Sequence, residues 1–145
     1  MNNFPPKQDV ALSHGLSNKE SAVEYFKTLV KDGAGVVVAW GEKGASCYHP
    51  DSGIISSPSY PPSGSYCHYS IKNFRETIVG GVVDSLGAGD TFNAAVIGGL
   101  ASGLGLAESV DLGCQVAGEK VGFRGFAGLT GKARNIVQKK SFIKS

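Results

Sequence analysis

Gly35-Val36-Val37-Val38-Ala39-Trp40 is an unbroken apolar run rich in β-branched side chains. A strand with one wet face alternates polar and apolar residues. A run without alternation predicts a strand covered on both faces. The preceding segment reads as a helix. Ser17-Asn18-Lys19-Glu20 fits a capping box, in which the Ser and Glu side chains satisfy backbone N–H groups that the helix leaves unpaired. Ala22, Val23, Phe26, Leu29 and Val30 then recur at helical spacing, and Asp32-Gly33 stops the helix. A helix feeding a doubly covered strand is the pattern of an α/β fold.

Beyond Trp40, Gly41-Glu42-Lys43-Gly44 is a polar, glycine-rich loop. Ser46-Cys47-Tyr48 and Gly53-Ile54-Ile55 flank a Pro-Asp turn and predict a hairpin. Residues 57–70 are rich in Ser, Pro, Tyr and Gly and read as loop, and residues 71–78 show no clear period. Phe92, Ala95, Val96, Gly99 and Leu100 hold one helical stripe, in a segment thinned by Ala94, Gly98 and Ala101 so that it can pack closely. A second helix, over about 107–121, carries Val110, Cys114, Ala117 and Val121. Gly122 to Gly128 ends the structured part on this reading.

At 145 residues the chain suffices for one domain with a real core. The net charge of +2 is a property of the end: Lys132, Arg134, Lys139, Lys140 and Lys144 occur there with no acid. That end reads as a solvated, flexible tail over 132–145, and nothing in it argues for a nucleic-acid groove. The three cysteines, Cys47, Cys67 and Cys114, are widely spaced and form no C-x-x-C, which argues against a disulfide framework or a zinc site. No apolar run reaches membrane-spanning length, and no leader-like segment follows Met1. The expectation is a cytoplasmic protein.

The chemistry is concentrated in Val82-Val83-Asp84-Ser85-Leu86-Gly87-Ala88-Gly89-Asp90-Thr91-Phe92. Gly87, Ala88 and Gly89 fall where a helix begins. There the backbone N–H groups point outward and the helix dipole adds partial positive charge, a natural seat for phosphate. Larger side chains would block the approach. Asp90 stands at the same helix start, where a carboxylate can take a proton from a hydroxyl while the amides hold phosphoryl oxygens. The plainer alternative is a tight turn with a capping Asp. For a bare Gly-x-Gly-Asp that alternative would win; the longer string weakens it.

VVDSLGAGDTFNA resembles the signature of the PfkB/ribokinase-type carbohydrate kinases, with Ser85 where the family pattern has Thr. VVVAWGEKGA, LGCQVAGEKVGFRGFAG and KQDVALSHGL are similar to the ketohexokinase branch of that family, and the likeness runs from about Lys7 to Leu129. The resemblance implies the C-terminal part of a ribokinase-like three-layer α/β/α fold, in a partial domain over 1–131. It implies ATP-dependent phosphorylation of a sugar hydroxyl, fructose to fructose 1-phosphate, with Mg²⁺ and a monovalent cation. It makes Asp90 the catalytic base and Gly87, Ala88 and Gly89 the anion hole. Gly41, Glu42, Lys43 and Gly44 would lie along the nucleotide. Phe92, Cys114, Ala117, Pro61 and Pro62 would line the adenine pocket. Asp84 would shape the anion-hole turn or its cation environment rather than transfer a proton.

The chain departs from that family in two ways. Kinases of this kind are about twice as long, and their N-terminal half supplies the residues that grip the sugar and most of a dimer interface. The isolated chain is therefore expected to bind nucleotide weakly, to self-associate, and not to turn over sugar. Secondly, Ser63 to Gly81 is an insert between Pro-Pro and Val-Val-Asp; a regulatory loop at the nucleotide mouth is one reading, and a tolerated surface loop or a gene-model or splicing artefact is the expectation. Two other readings stand beside the sugar kinase: another kinase of the superfamily, and a non-catalytic remnant that binds a nucleotide or a partner.

Overall fold

The computed structural model describes residues 8–63, 66–69, 76–79 and 81–143. In chain order the elements are α1 (Gln8–Ser13), α2 (Lys19–Phe26), a 3-10 turn (Lys27–Leu29), β1 (Val36–Ala39), a second 3-10 turn (Gly41–Lys43), β2 (Ala45–His49), β3 (Gly53–Ser57), β4 (Tyr66–Tyr69), β5 (Glu76–Val79), α3 (Ala88–Ala101), α4 (Leu106–Lys120) and α5 (Leu129–Ile143).

β1, β2 and β3 form an antiparallel sheet in that order, with Val37 opposite Cys47 and Cys47 opposite Ile55. The predicted hairpin is β2–β3. Both faces of β1 are covered, as its unbroken apolar run predicts. Val36, Val38 and Trp40 join Ala11, Ala22 and Val23 in one buried cluster under α1 and α2. Val37 and Ala39 pack against a second cluster of Ala45, Cys47, Phe92, Val96, Val110 and Cys114, which joins the sheet to α3 and α4. Helices therefore lie on both sides of a sheet, an α/β layering. Cys47 and Cys114 lie buried in the second cluster as thiols, not joined by a disulfide. Burial, and after it Cys114, pushes the Cys47 thiol pKa up.

The α3–α4 contact depends on missing side chains. A Cβ on Gly113 would stand 2.8 Å from Phe92 Cδ2 and Val96 Cγ2, and one on Gly99 would stand 2.8 Å from Ser109 Oγ. The small residues that thin α3 let the two helices meet at that distance.

Three expectations are corrected. The cap of α2 is Asn18, whose side chain accepts from Ser21 N at 2.7 Å. Glu20 could not close a box on Ser17, because its Oε1 accepts from the hydroxyls of Ser56 and Ser46 on the sheet. Residues 57–70 are not all loop: β3 ends at Ser57, and β4 pairs with β5, Tyr66 opposite Val79. The partner of that strand lies in the stretch without a period, so no local pattern announced it. Residues 64–65, 70–75 and 80 of the insert lie outside the described residues. The structured part also continues past Gly128, because α5 occupies much of the presumed tail. Leu129, Ala133, Ile136 and Val137 recur at helical spacing among its basic residues. Lys132 Nζ reaches Glu119 Oε2 on α4 at 2.7 Å. Among the described residues, no helix is long and apolar enough to cross a membrane.

Candidate active site

The chain enters α3 through a turn fixed at several points. Val83 N donates to Val121 O at 2.7 Å, tying the entry to the end of α4. Asp84 Oδ1 accepts from Leu86 N at 2.9 Å. Gly87 then takes φ 77°, a left-handed value costly for any residue with a Cβ, and supplies no side-chain cap. The first helical hydrogen bond runs from Thr91 N to Gly87 O at 2.9 Å. The amides at the start of α3 thus meet no capping side chain. Ala88 N turns back to Ser85 O at 3.1 Å.

The two glycines differ in surroundings. A Cβ on Gly89 would meet nothing within 4 Å, so its face is open. A Cβ on Gly87 would stand 2.5 Å from Phe126 Cζ, so the Phe126 ring roofs that residue. Asp90 is exposed and lies on the wall of a groove of about 980 Å³ between α3, α4 and α5, shared with Thr91, Leu112, Phe126 and Arg134. The Thr91 hydroxyl is buried and has no hydrogen-bond partner among the described residues.

Behind the turn, Asp84 Oδ2 lies 3.5 Å from Lys120 Nζ and accepts from Gly125 N at 3.4 Å. The hydrogen bond from Leu86 N, with those from Gly125 and Lys120, holds the Asp84 carboxyl below the usual carboxylate pKa.

The residues expected along the nucleotide gather around the C-terminal half of α4. Gly41, Glu42 and Lys43 form the second 3-10 turn, and Gly44 follows at φ 84°. Lys19 Nζ donates to both Lys43 O and Ser57 O, and Ser59 Oγ donates to Glu42 O, so this turn is held against the start of the 58–62 segment. That segment presses on two glycines, Gly118 in α4 and Gly122 just past its end. A Cβ on Gly118 would stand 2.2 Å from Tyr60 O, and one on Gly122 would stand 2.5 Å from Pro62 Cβ. Asp111 adds an anchor, accepting from Tyr60 OH at 2.7 Å and Ser57 Oγ at 2.8 Å. The Asp111 carboxylate, with burial, pushes the Tyr60 pKa up.

Pro62 is buried and Pro61 exposed. Phe92 and Cys114 are core residues, and Ala117 packs against their cluster. α4 thus connects the 41–44 turn and the 58–62 segment on one side to the Gly87 turn on the other. The sequence reading singled out neither Lys120 nor Asp111. Each is a charged residue beside the apolar stripe of α4, and its partners are far away in the chain.

The family profile described as pfkB family carbohydrate kinase matches residues 7–128. Ketohexokinase of Mus musculus is 39% identical over 122 residues, which are 84% of this chain and 35% of that protein. Ribokinase of Thermotoga maritima superposes with a TM-score of 0.62 at 24% identity, covering 92% of this chain and 41% of that one. Ribokinase of Cryptococcus neoformans in complex with ADP superposes with a TM-score of 0.56 at 22% identity, covering 81% of this chain and 36% of that one. The chain thus spans well under half the length of these proteins.

Proposed function

This chain belongs to the pfkB family of carbohydrate kinases, and from that premise we propose that its α3 N-terminus is the phosphoryl-transfer site of an ATP-dependent sugar kinase. The observation that carries the reading is the geometry at Gly87–Asp90. An uncapped, glycine-opened helix start stands beside an exposed carboxylate at the mouth of a groove. The Gly87 and Gly89 amides would hold phosphoryl oxygens of ATP. Asp90 would take the proton of a sugar hydroxyl as its oxygen bonds to the γ-phosphorus and the bond to the β-phosphate oxygen breaks, leaving ADP and a sugar phosphate.

The nucleotide would run from this cradle along α4 toward Ala117, Cys114 and the 58–62 segment, with the 41–44 turn beside it. The ADP complex of the Cryptococcus ribokinase supports an adenine nucleotide as the ligand. Fructose is the proposed acceptor, on the strength of the identity to ketohexokinase. Among the described residues no group of three or more His, Cys, Asp and Glu side chains is placed to hold a metal ion. Mg²⁺ would arrive on the phosphates of ATP, where it offsets their charge.

The test is a chimera in which residues 7–128 replace the matched segment of mouse ketohexokinase. It should phosphorylate fructose with ATP. Asp90→Asn in the chimera should cut the rate by roughly a hundredfold or more and leave ATP affinity within about twofold. A folded, ATP-binding chimera that makes no fructose phosphate, or an Asp90→Asn variant of near-normal rate, would refute the assignment.

A further inference from the structure

A lysine with no exposed surface stands behind the cradle, and the proposed transfer does not use it. Lys120 is 0% exposed. Its Nζ donates to Asp84 O at 3.1 Å, lies 3.5 Å from Asp84 Oδ2, and stands 5.4 Å from the centre of the Phe126 ring. Asp84 holds the turn into Gly87 through Leu86 N and the loop bearing Phe126 through Gly125 N. One ammonium therefore reaches both pieces that frame the helix start.

The sign of the charges matters as much as the contacts. Asp84 is a carboxylate in the turn immediately before the amides that would gather phosphate oxygens, and alone it would repel them. A buried ammonium against it offsets that repulsion, and solvent ions screen such a partly buried pair less than one on the surface. The desolvated lysine is held by the hydrogen bonds it donates to the carbonyl and carboxylate of Asp84 and by the rings of Phe123 and Phe126 beside it.

We propose that Lys120 is a positioning residue for phosphate. It neutralises Asp84 and locks the 84–87 turn and the Phe126 loop, so that the α3 N-terminus accepts a nucleoside di- or triphosphate. This rests on the phosphate reading of Gly87–Asp90. Lys120 acts through Asp84 and does not touch the nucleotide.

The experiment follows the Gly87 and Gly89 amide resonances of the ¹⁵N-labelled 145-residue chain during titration with ADP and, separately, with adenosine. Thermal melts accompany each variant. Lys120→Met should weaken ADP about tenfold and leave adenosine unchanged, because only the phosphates sense the exposed Asp84 charge. The double variant Asp84→Asn/Lys120→Met should recover most of the loss. Asp84→Asn alone, which removes the negative charge, should lose clearly less ADP affinity than Lys120→Met, which keeps the idea testable even if Lys120→Met folds poorly. Equal loss of ADP and adenosine, no recovery in the double variant, or an ADP loss in Asp84→Asn as large as that in Lys120→Met would each show a merely structural lysine and overturn the inference alone. A wild-type chain whose Gly87 and Gly89 amides ignore ADP would overturn the phosphate reading, and the inference with it.

Discussion

Replacing Gly118 by Ala adds one methyl group at the tightest point between α4 and the 58–62 segment. Its Cβ would stand 2.2 Å from Tyr60 O and 3.0 Å from Tyr60 C, both backbone atoms that cannot swing aside. Ordinary contact requires roughly 1 Å of retreat. That movement pulls on the bonds from Tyr60 OH and Ser57 Oγ to Asp111 and on the contact of Pro62 with Gly122. Overpacking of this kind costs about 1–3 kcal/mol, and the better helix propensity of Ala returns up to about 1 kcal/mol. From the middle of those ranges the expected net loss is about 1–2 kcal/mol, seen as a Tm lower by roughly 2–8 °C.

Gly131→Ala on α5 is the control. A Cβ there meets nothing within 4 Å, so propensity acts alone and stability should rise by up to about 1 kcal/mol. Thermal and urea melts of both variants decide the matter. If Gly118→Ala were as stable as the wild type, or moved in the same direction as Gly131→Ala, the close seating of the 58–62 segment on α4 would be refuted.

The cradle glycines should separate by assay. Gly89→Val faces open space and should melt within about 1 kcal/mol of the wild type, yet lose roughly tenfold or more in ADP affinity by calorimetry. Gly87→Val should lose stability as well, because its backbone is left-handed and Phe126 lies over it. Acid should loosen α5. Burial opposes ionisation of Glu119, but Lys132 and Ser63 outweigh it and hold the carboxyl below its ordinary pKa of 4.5. The stability this group contributes is fully present above that value and is lost as pH falls through the lower folded pKa. Hydrogen exchange of α5 amides should therefore quicken, relative to α4, as pH drops below 4.5 and through the lower folded pKa. Glu119→Gln should show the quickened exchange already at neutral pH, and an unchanged α5 would refute the tether.

Legibility in the sequence followed the range of the interactions. β1 was legible because an unbroken apolar run already states that both faces are covered. α3 and α4 were legible because Phe92, Val96, Val110 and Cys114 repeat within a few turns. The helix start at Gly87–Asp90 was legible because it needs only neighbours in the chain.

What could not be read depends on distant partners. Asn18 rather than Ser17 caps α2, through a box with Ser21, and Glu20 turns instead to two serines of the sheet. Lys120 looks like an ordinary basic residue near a helix end until Asp84, far back in the chain, is found against it. The apolar stripe of α5 was hidden by the basic residues around it, and its tether, Glu119, belongs to the preceding helix. Gly118 and Gly122 read as part of a glycine-rich motif, but the reason for their size is the backbone of Tyr60 and the ring of Pro62.

A crystal structure of the chain with ADP tests the central claim most directly. The account predicts β-phosphate oxygens within hydrogen-bonding distance of the Gly87 and Gly89 amides, with the adenine beside α4 near Ala117 and the 58–62 segment. Phosphates seated away from α3, on the basic side chains of α5 for example, would contradict it.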